Sequence, residues 1–408
     1  MPKLNSFFFI ILFMTCFSPR SIFAEEFDQK ESQLPADVSF VVVDIKYNAE
    51  RGAQICEIQH GISSSFKGET FSNGGYSLIA QNLVKELDRF HERSWASNGA
   101  FFDPSLKQEF LNDRKWNVAQ DFISITKNKQ FLVHAAAPVY DPADLNSYHG
   151  FVIMRPGQIE NRKSFRKKYP GIICIDNATY SNRKDKYKVT NLLMGDPSTE
   201  KHKPKWGLYS LENEEGLIER INKDIGSDLL VIKPLHGSLG NGVIILKKED
   251  LQEALEYLFK RKPQGAPNID PAYEFWLSCN SESFLVEEFI EVEPVSAPHL
   301  EGKLYSPTLR LAFLMIYNKK EIEIVCLGGY YSLPNKSLCE EGTLNERYKT
   351  TCQLPYYLKG DPEIMKLAEE QIKEVLHILY QKLLGLYILD IAESENLGNA
   401  NALAIELL

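Results

Sequence analysis

The chain has 408 residues, 44% of them hydrophobic and 25% charged, with a formal net charge of −9 at pH 7. That length supports two or three packed domains with a sizeable core, and the composition is that of an ordinary globular protein. The acidic balance is spread along the chain, which argues against unspecific binding to nucleic acid or acidic membrane.

Lys3 precedes an apolar run from Phe7 to Phe17, and Ile22-Phe23-Ala24 leads into Glu25 and Glu26. This is the layout of a secretory signal peptide over residues 1–24, with Ala24 as its last residue. The run is short for a bilayer span. The expectation is an exported or secreted protein with no stable membrane span after cleavage, or a cytoplasmic one if the segment is kept. Six cysteines follow Cys16 and none forms a CxxC pair, so zinc and thioredoxin-like sites have no support. Cys339 and Cys352 flank a polar loop and either pair in an oxidising compartment or stay as free thiols.

Residues 37–180 read as an N-terminal α/β domain. Val38 to Ile45 is a β-branched apolar run expected to form a buried strand, and Ile55 to Ile58 a second. A Gly/Ser-rich segment spans Gly61 to Gly75. Helical spacing follows from Leu78 to Phe90, then short strands at Phe151 to Met154 and Ile172 to Ile175. The basic cluster Arg162 to Lys168 reads as a solvated face or a contact for an acidic partner. Arg183 to Pro204 is polar and Lys-rich, as suits a domain entrance.

Residues 181–408 carry more. Strands are expected at Leu229 to Ile232, Val243 to Leu246, Phe284 to Ile290, Leu309 to Ile316 and Ile322 to Leu327, with a helix from Leu251 to Lys262. Asp361 as N-cap and Pro362 at the first position open a long helix that Gly385 closes. Its stripe is Ile364, Ala368, Ile372, Val375, Leu376, Leu379 and Leu383. Leu386 to Ile391 and Ala402 to Leu407 complete the list of strands.

Lys233 ends an apolar strand, and Gly237-Ser238-Leu239-Gly240-Asn241-Gly242 follows after Pro234-Leu235-His236. Glycines let backbone N–H groups approach phosphate oxygens, and the lysine supplies a point charge for them. A P-loop places its lysine after the glycines and opens a helix, and a dinucleotide fingerprint also needs that helix; a second strand follows here. Strand, glycine loop and antiparallel strand make either a phosphate lid over residues 236–242 or a plain hairpin.

Taken in order, Lys186, Lys233-Pro234, the glycine loop, Leu285 to Ile290, Arg310, Asp390 and Glu406 resemble the signature of the ATP-grasp superfamily. The likeness is to carboxylate–amine ligases such as D-alanine–D-alanine ligases, glutathione synthetases and tubulin–tyrosine ligases. It implies an ATP-grasp fold of two α/β lobes behind an N-terminal α/β domain, with ATP and Mg²⁺ (or Mn²⁺) between the lobes. It further implies that Lys186 and Lys233 meet phosphates and that Gly237, Ser238, Gly240 and Gly242 cover them. Glu287, Glu288, Phe289 and Ile290 would hold the adenine, and Glu293 (or Glu291) the ribose, one residue off the family's usual register. Arg310 would face the transferring phosphoryl group, and Asp390 and Glu406 would hold metal. The family's Glu-x-Asn reads Glu406-Leu407-Leu408 here, a departure that bears on catalysis more than on nucleotide binding. The expected activity is ATP-dependent ligation of an amine to a carboxylate carried by a small molecule, peptide or protein, acting where ATP is available. The alternatives are a degenerate nucleotide-binding protein or a kinase acting on a hydroxyl.

Overall fold

The computed structural model describes residues 38–60, 66–87, 185–212, 214–237, 240–260, 270–317 and 322–382, together with short strands at 96–98, 116–119, 131–134, 150–153 and 172–175. The strands are β1 (Val38–Asn48), β2 (Gly52–His60), β3 (Ala96–Asn98), β4 (Trp116–Ala119), β5 (Phe131–His134), β6 (Gly150–Ile153), β7 (Ile172–Ile175) and β8 (Trp206–Ser210). They continue as β9 (Leu229–Pro234), β10 (Ile244–Lys247), β11 (Ser283–Glu288), β12 (Val295–Ala297), β13 (Lys303–Tyr305), β14 (Thr308–Tyr317), β15 (Ile322–Ser332) and β16 (Tyr357–Lys359). The helices are α1 (Phe66–Ser72), α2 (Leu78–Leu87), α3 (Lys186–Leu192), α4 (Pro197–Glu200), α5 (Leu217–Ile225), α6 (Leu251–Lys260), α7 (Pro271–Leu277) and α8 (Leu344–Tyr348). The last, α9, covers residues 362–382. The signal-peptide segment, Ser238, Asp390 and Glu406 lie outside the described residues, and no described helix is long and apolar enough to cross a membrane.

The fold is mixed α/β. Its larger sheet has seven strands in the order β16-β15-β14-β1-β7-β6, with β2 also paired to β1. The expected boundary near residue 180 therefore does not separate the sheets. β1 runs antiparallel to β14 from Val38↔Ile316 to Ile45↔Leu309, so the N-terminal hairpin is built into the sheet of the C-terminal half. The cause is apolar burial. Val41, Val43 and Ile45 alternate along β1 with Leu309, Leu311, Phe313 and Met315 along β14, and all pack on Ala368, Ile372, Val375, Leu376 and Leu379 of α9. Each such side chain contributes about 1.5–3 kcal/mol on burial. α9 is opened by Asp361, whose Oδ1 accepts the Glu363 and Ile364 amides at 2.9 and 3.0 Å, and it fixes the hairpin through Ala53 N–H donating to Gln371 Oε1 at 2.8 Å.

The smaller sheet has the order β10-β9-β11-β8. One face carries Leu230 and Ile232 of β9 with Phe284 and Val286 of β11, buried against Ile221 and Ile225 of α5 and Leu251, Leu255 and Leu258 of α6. Because side chains alternate along a strand, Lys233 and Glu287 point to the other face.

The Gly/Ser-rich Gly61–Gly75 segment contains α1, whose fully buried Glu69 accepts from the Ser77 hydroxyl and the Ile79 amide. β15 runs on past the expected end at Leu327, so that Gly328 and Gly329 lie within it. A Cβ on Gly329 would sit 2.4 Å from the Arg310 carbonyl oxygen and 2.5 Å from Leu311 Cδ2. Gly329→Ala is thus expected to destabilise the protein by about 1–3 kcal/mol, seen as a lower urea midpoint, because the backbone oxygen cannot move aside.

Candidate functional site

On β14, β1 and β2, the residues that alternate with the core set lie on the opposite face of the sheet, where Gly68 of α1 approaches Tyr330 and Ile79 of α2 approaches Gly328. Three of them form a row across the strands: Arg310 is directly opposite Asp44, and Asp44 is directly opposite Glu57. The row is polar where its neighbours are apolar, and its charges are paired. Arg310 donates from Nε and Nη2 to the two Asp44 oxygens, each at 2.7 Å, and both residues are buried. This bidentate geometry is the strong form of the arginine–carboxylate contact. Asp44 is the anionic partner of Arg310 in this structure; burial acts to lower the guanidinium, and Asp44 outweighs it and holds it well above its ordinary value.

Glu57 is half-buried, with Lys186 Nζ at 3.7 Å. Burial raises its carboxyl, Lys186 draws it back and Asp44 pushes it up again. Like charges directly opposite on paired strands repel. Gln59 relieves this by donating Nε2 to Asp44 Oδ2 at 2.9 Å and to Glu57 Oε2 at 3.3 Å. Gln59 thus presents its amide NH₂ to both carboxylates, and both Asp44 oxygens already accept from Arg310. Among the described residues no cluster of three or more His, Cys, Asp and Glu side chains that could hold a metal is formed; Asp44 and Glu57 are the carboxylates that directly oppose each other on paired strands here.

Across the cleft stands a second charged group. Glu287 accepts from Lys203 Nζ and Lys233 Nζ, one on each oxygen at 2.6 Å, and all three side chains are buried. Lys233 also donates to the Cys56 carbonyl at 3.2 Å, which ties the bridge to β2. Burial would raise the Glu287 carboxyl, but the two ammonium groups overcome it and hold it below the usual range. Lys203 is lowered by burial, whereas at Lys233 the neighbouring carboxylates, Glu287 first, outweigh burial and raise it. Lys46, on β1 beside Asp44, has only neutral partners. It donates to the Pro307 carbonyl at 2.9 Å and lies 3.4 Å from the Ser306 hydroxyl, and burial lowers it to about 8.

The glycine loop lies at the end of β9, next to α3. Asp185 caps α3, its Oδ1 accepting from the Lys188 amide, and the Lys186 amide donates to the Leu235 carbonyl at 3.1 Å. Lys186 Nζ donates to Gly237 O at 2.8 Å, while Lys188 is exposed. Gly240 and Gly242 have φ of 71° and 73°, and the indole of Trp276 donates to Gly242 O at 2.8 Å. Lys186, Lys233 and the loop thus share one end of the cleft.

The adenine and ribose expectations fare differently. The Glu288 and Phe289 amides donate to the carbonyls of Lys205 and Leu229, at 2.9 and 3.0 Å, so neither is offered to a base here. The Glu288 side chain pairs with Arg51 at 2.7 Å. Ile290 is buried, and exposed Glu293 accepts from the Ala49 amide at 3.3 Å. The turn of the β1–β2 hairpin therefore touches the same segment that was expected to hold the nucleoside.

Lys46, Lys186, Lys203, Lys233 and Arg310 together outnumber Asp44, Glu57 and Glu287, which suits a polyanion carrying a divalent cation. The space among Ile55, Cys56, Lys186, Lys203 and Glu287 is only about 30 Å³, far below the roughly 300–1,000 Å³ usual for small-molecule sites. A nucleotide enters only if the two sheets part and the Glu287 bridge yields.

No family model matches the chain, and no curated protein matches it. Among solved structures it is similar to the D-alanyl-alanine synthetase A of Vibrio cholerae O1 biovar eltor str. N16961, at 14% identity over 56% of this chain and 58% of that one, with a TM-score of 0.28. It is also similar to the D-alanine-D-alanine ligase of Coxiella burnetii, at 10% identity over 63% of this chain and 74% of that one, with a TM-score of 0.25.

Proposed function

We propose that the chain is an ATP-grasp-type enzyme that binds ATP with a divalent metal between the β10-β9-β11-β8 sheet and the β14–β1–β2 face, and joins a carboxylate to an amine. The observation that carries this reading is the opposition of two charged groups across one cleft, Lys203–Glu287–Lys233 on one side and Arg310–Asp44–Glu57 on the other. The glycine loop and Lys186 stand at its end.

In this reading Asp44 and Glu57, with Gln59 once its amide is turned, would hold Mg²⁺, which would supply positive charge against the phosphates. Lys186 and Lys233 leave their present acceptors, Gly237 O and Glu287, for phosphate oxygens. Arg310, fixed by Asp44 on a rigid strand, presents its remaining donor to the transferring group without reorganising. Phosphoryl transfer to the carboxylate makes it a good acyl donor. Attack by the amine then releases phosphate, so one ATP gives ADP, phosphate and one amide.

A second reading, nucleotide binding without turnover, draws on the narrowness of the cleft and the mutual satisfaction of its charges. The two separate in one experiment. A fluorescent ATP analogue titrated with Mg²⁺ is expected to bind the wild type, and Lys233→Ala and Lys186→Ala to weaken it about tenfold or more, the worth of one charge-assisted hydrogen bond. Acceptor-dependent ADP release over a panel of amino acids and peptides supports the ligase; binding with no release supports the second reading. Equal affinity in wild type and both variants removes the nucleotide site.

A further inference from the structure

Between Leu333 and Tyr356 the chain leaves the larger sheet and returns to it. The excursion is closed at its base by Thr351 N–H donating to Leu333 O at 3.0 Å and Leu333 N–H donating to Tyr356 O at 2.9 Å. Its helix α8 crosses to the smaller sheet. There Asn345 accepts the Ile245 amide at 2.8 Å, and Leu344 and Tyr348 pack with Val231, Ile245 and Phe289. Under this strap lies a cleft of about 1040 Å³, reaching from Asn241 at the end of the glycine loop to Cys352 and Gln353.

The charges lining the cleft are committed, with one exception. Asp270 caps α7 through the Ala272 amide at 2.8 Å. Glu346 closes a capping box with Thr343 and pairs with Lys336 at 2.9 Å, and Lys336 also donates to the Glu341 carbonyl. The Lys349 ammonium, half-buried beside Asp270, makes no hydrogen bond or ion pair with any described residue. Its side chain runs beside Gly240 of the glycine loop. Thr350, Thr351 and Gln353 line the same cleft.

We propose that this cleft binds the second substrate, a small polar molecule of amino-acid or short-peptide size, and that Lys349 receives its carboxylate. The role as second-substrate site rests on the nucleotide reading; the carboxylate site itself does not. Volume supports the size class, since about 300–1,000 Å³ is usual for small-molecule sites. A half-buried ammonium that has Asp270 near but no ion pair gains from a ligand that supplies one.

Cys352 is a built-in reporter. It is free, exposed and on the cleft wall, whereas Cys339 is free and exposed but outside the cleft. The full chain is alkylated with iodoacetamide, without nucleotide, against rising succinate or its uncharged diamide, and each cysteine is followed by peptide mass spectrometry. Succinate is expected to slow Cys352 and not Cys339, while the diamide slows neither. In Lys349→Gln the succinate concentration giving half-protection is expected to rise about tenfold, with recovery in Lys349→Arg. The proposal is overturned by no protection of Cys352, by equal protection from the diamide, or by unchanged protection in Lys349→Gln. Protection in a protein that fails to bind the ATP analogue keeps the carboxylate site and removes the ligase reading.

Discussion

Glu287→Gln is expected to lower the stability of the protein by roughly 3–5 kcal/mol at neutral pH, the cost of leaving a buried charge without its partner. The glutamate is 3% exposed and holds two buried lysines, so its removal strands both. Part of the loss is recovered as pH rises, because burial already favours the neutral form of Lys203 and proton release relieves the repulsion. The acid side behaves oppositely. Glu287 is held below the usual carboxylate range in the folded chain, so its contribution is complete above the unfolded value and lost as pH falls through the folded one. The gap between wild type and variant in urea midpoint should therefore close below about pH 4. A variant as stable as wild type at pH 7 would mean that the bridge is not formed in solution and that the sheets stand apart without nucleotide. The bridge also occupies Lys233, proposed above to meet phosphate, so the variant should bind nucleotide more readily relative to its stability than Lys233→Ala does.

What could be read from the sequence was local. Lys186 behind a helix cap, Lys233 at the end of an apolar strand before a glycine loop, and Arg310 among apolar neighbours each announce themselves within a dozen residues. All three lie around the cleft. The partners that give them meaning are distant. Asp44 meets Arg310 across more than 260 positions of chain, and no periodicity within either strand says which other strand it pairs with. For this reason the Val38–Ile45 run was readable as a buried strand but not as the neighbour of β14.

A signal for the paired carboxylates was nonetheless present. Asp44 ends an apolar run, and Glu57-Ile58-Gln59 lies in the next strand after a turn at Asn48–Gly52, which sets an acid opposite an acid-x-amide. Lys203 was hidden in a Lys-rich stretch where no pattern marks one ammonium as buried. The Glu287 side chain was obscured by its backbone reading as a hinge, although Phe284 and Val286 on the core face already place Glu287 on the cleft face. Helix α8 and its strap were illegible because the segment is polar and its one turn of helix is held by Asn345 and Tyr348 rather than by propensity.

Asp44→Asn and Glu57→Gln are expected to share one functional effect and to differ in sign for stability. Both remove a carboxylate from the oxygen set on β1 and β2, so both should abolish the Mg²⁺ enhancement of ATP-analogue binding while leaving Mg²⁺-free binding in place. Asp44 is the sole charge partner of Arg310 among the described residues, at 2.7 Å on both oxygens. Asn cannot neutralise the guanidinium, and the loss should be roughly 3–5 kcal/mol. Glu57 is placed the other way. Burial and Asp44 raise its carboxyl, so its ionised form costs stability above the unfolded value, and that cost fades as pH falls and the group protonates. Glu57→Gln should then be neutral or stabilising by up to about 1 kcal/mol at pH 7, as when a functional charge is removed from a site that tolerates it poorly. Urea denaturation and analogue binding with and without Mg²⁺ measure both effects on the same samples. Persistence of the Mg²⁺ enhancement in both variants would move the metal away from Asp44 and Glu57. A stability loss in Glu57→Gln as large as that in Asp44→Asn would make Glu57 a structural ion-pair partner of Lys186 rather than a metal ligand held at the folded chain's expense.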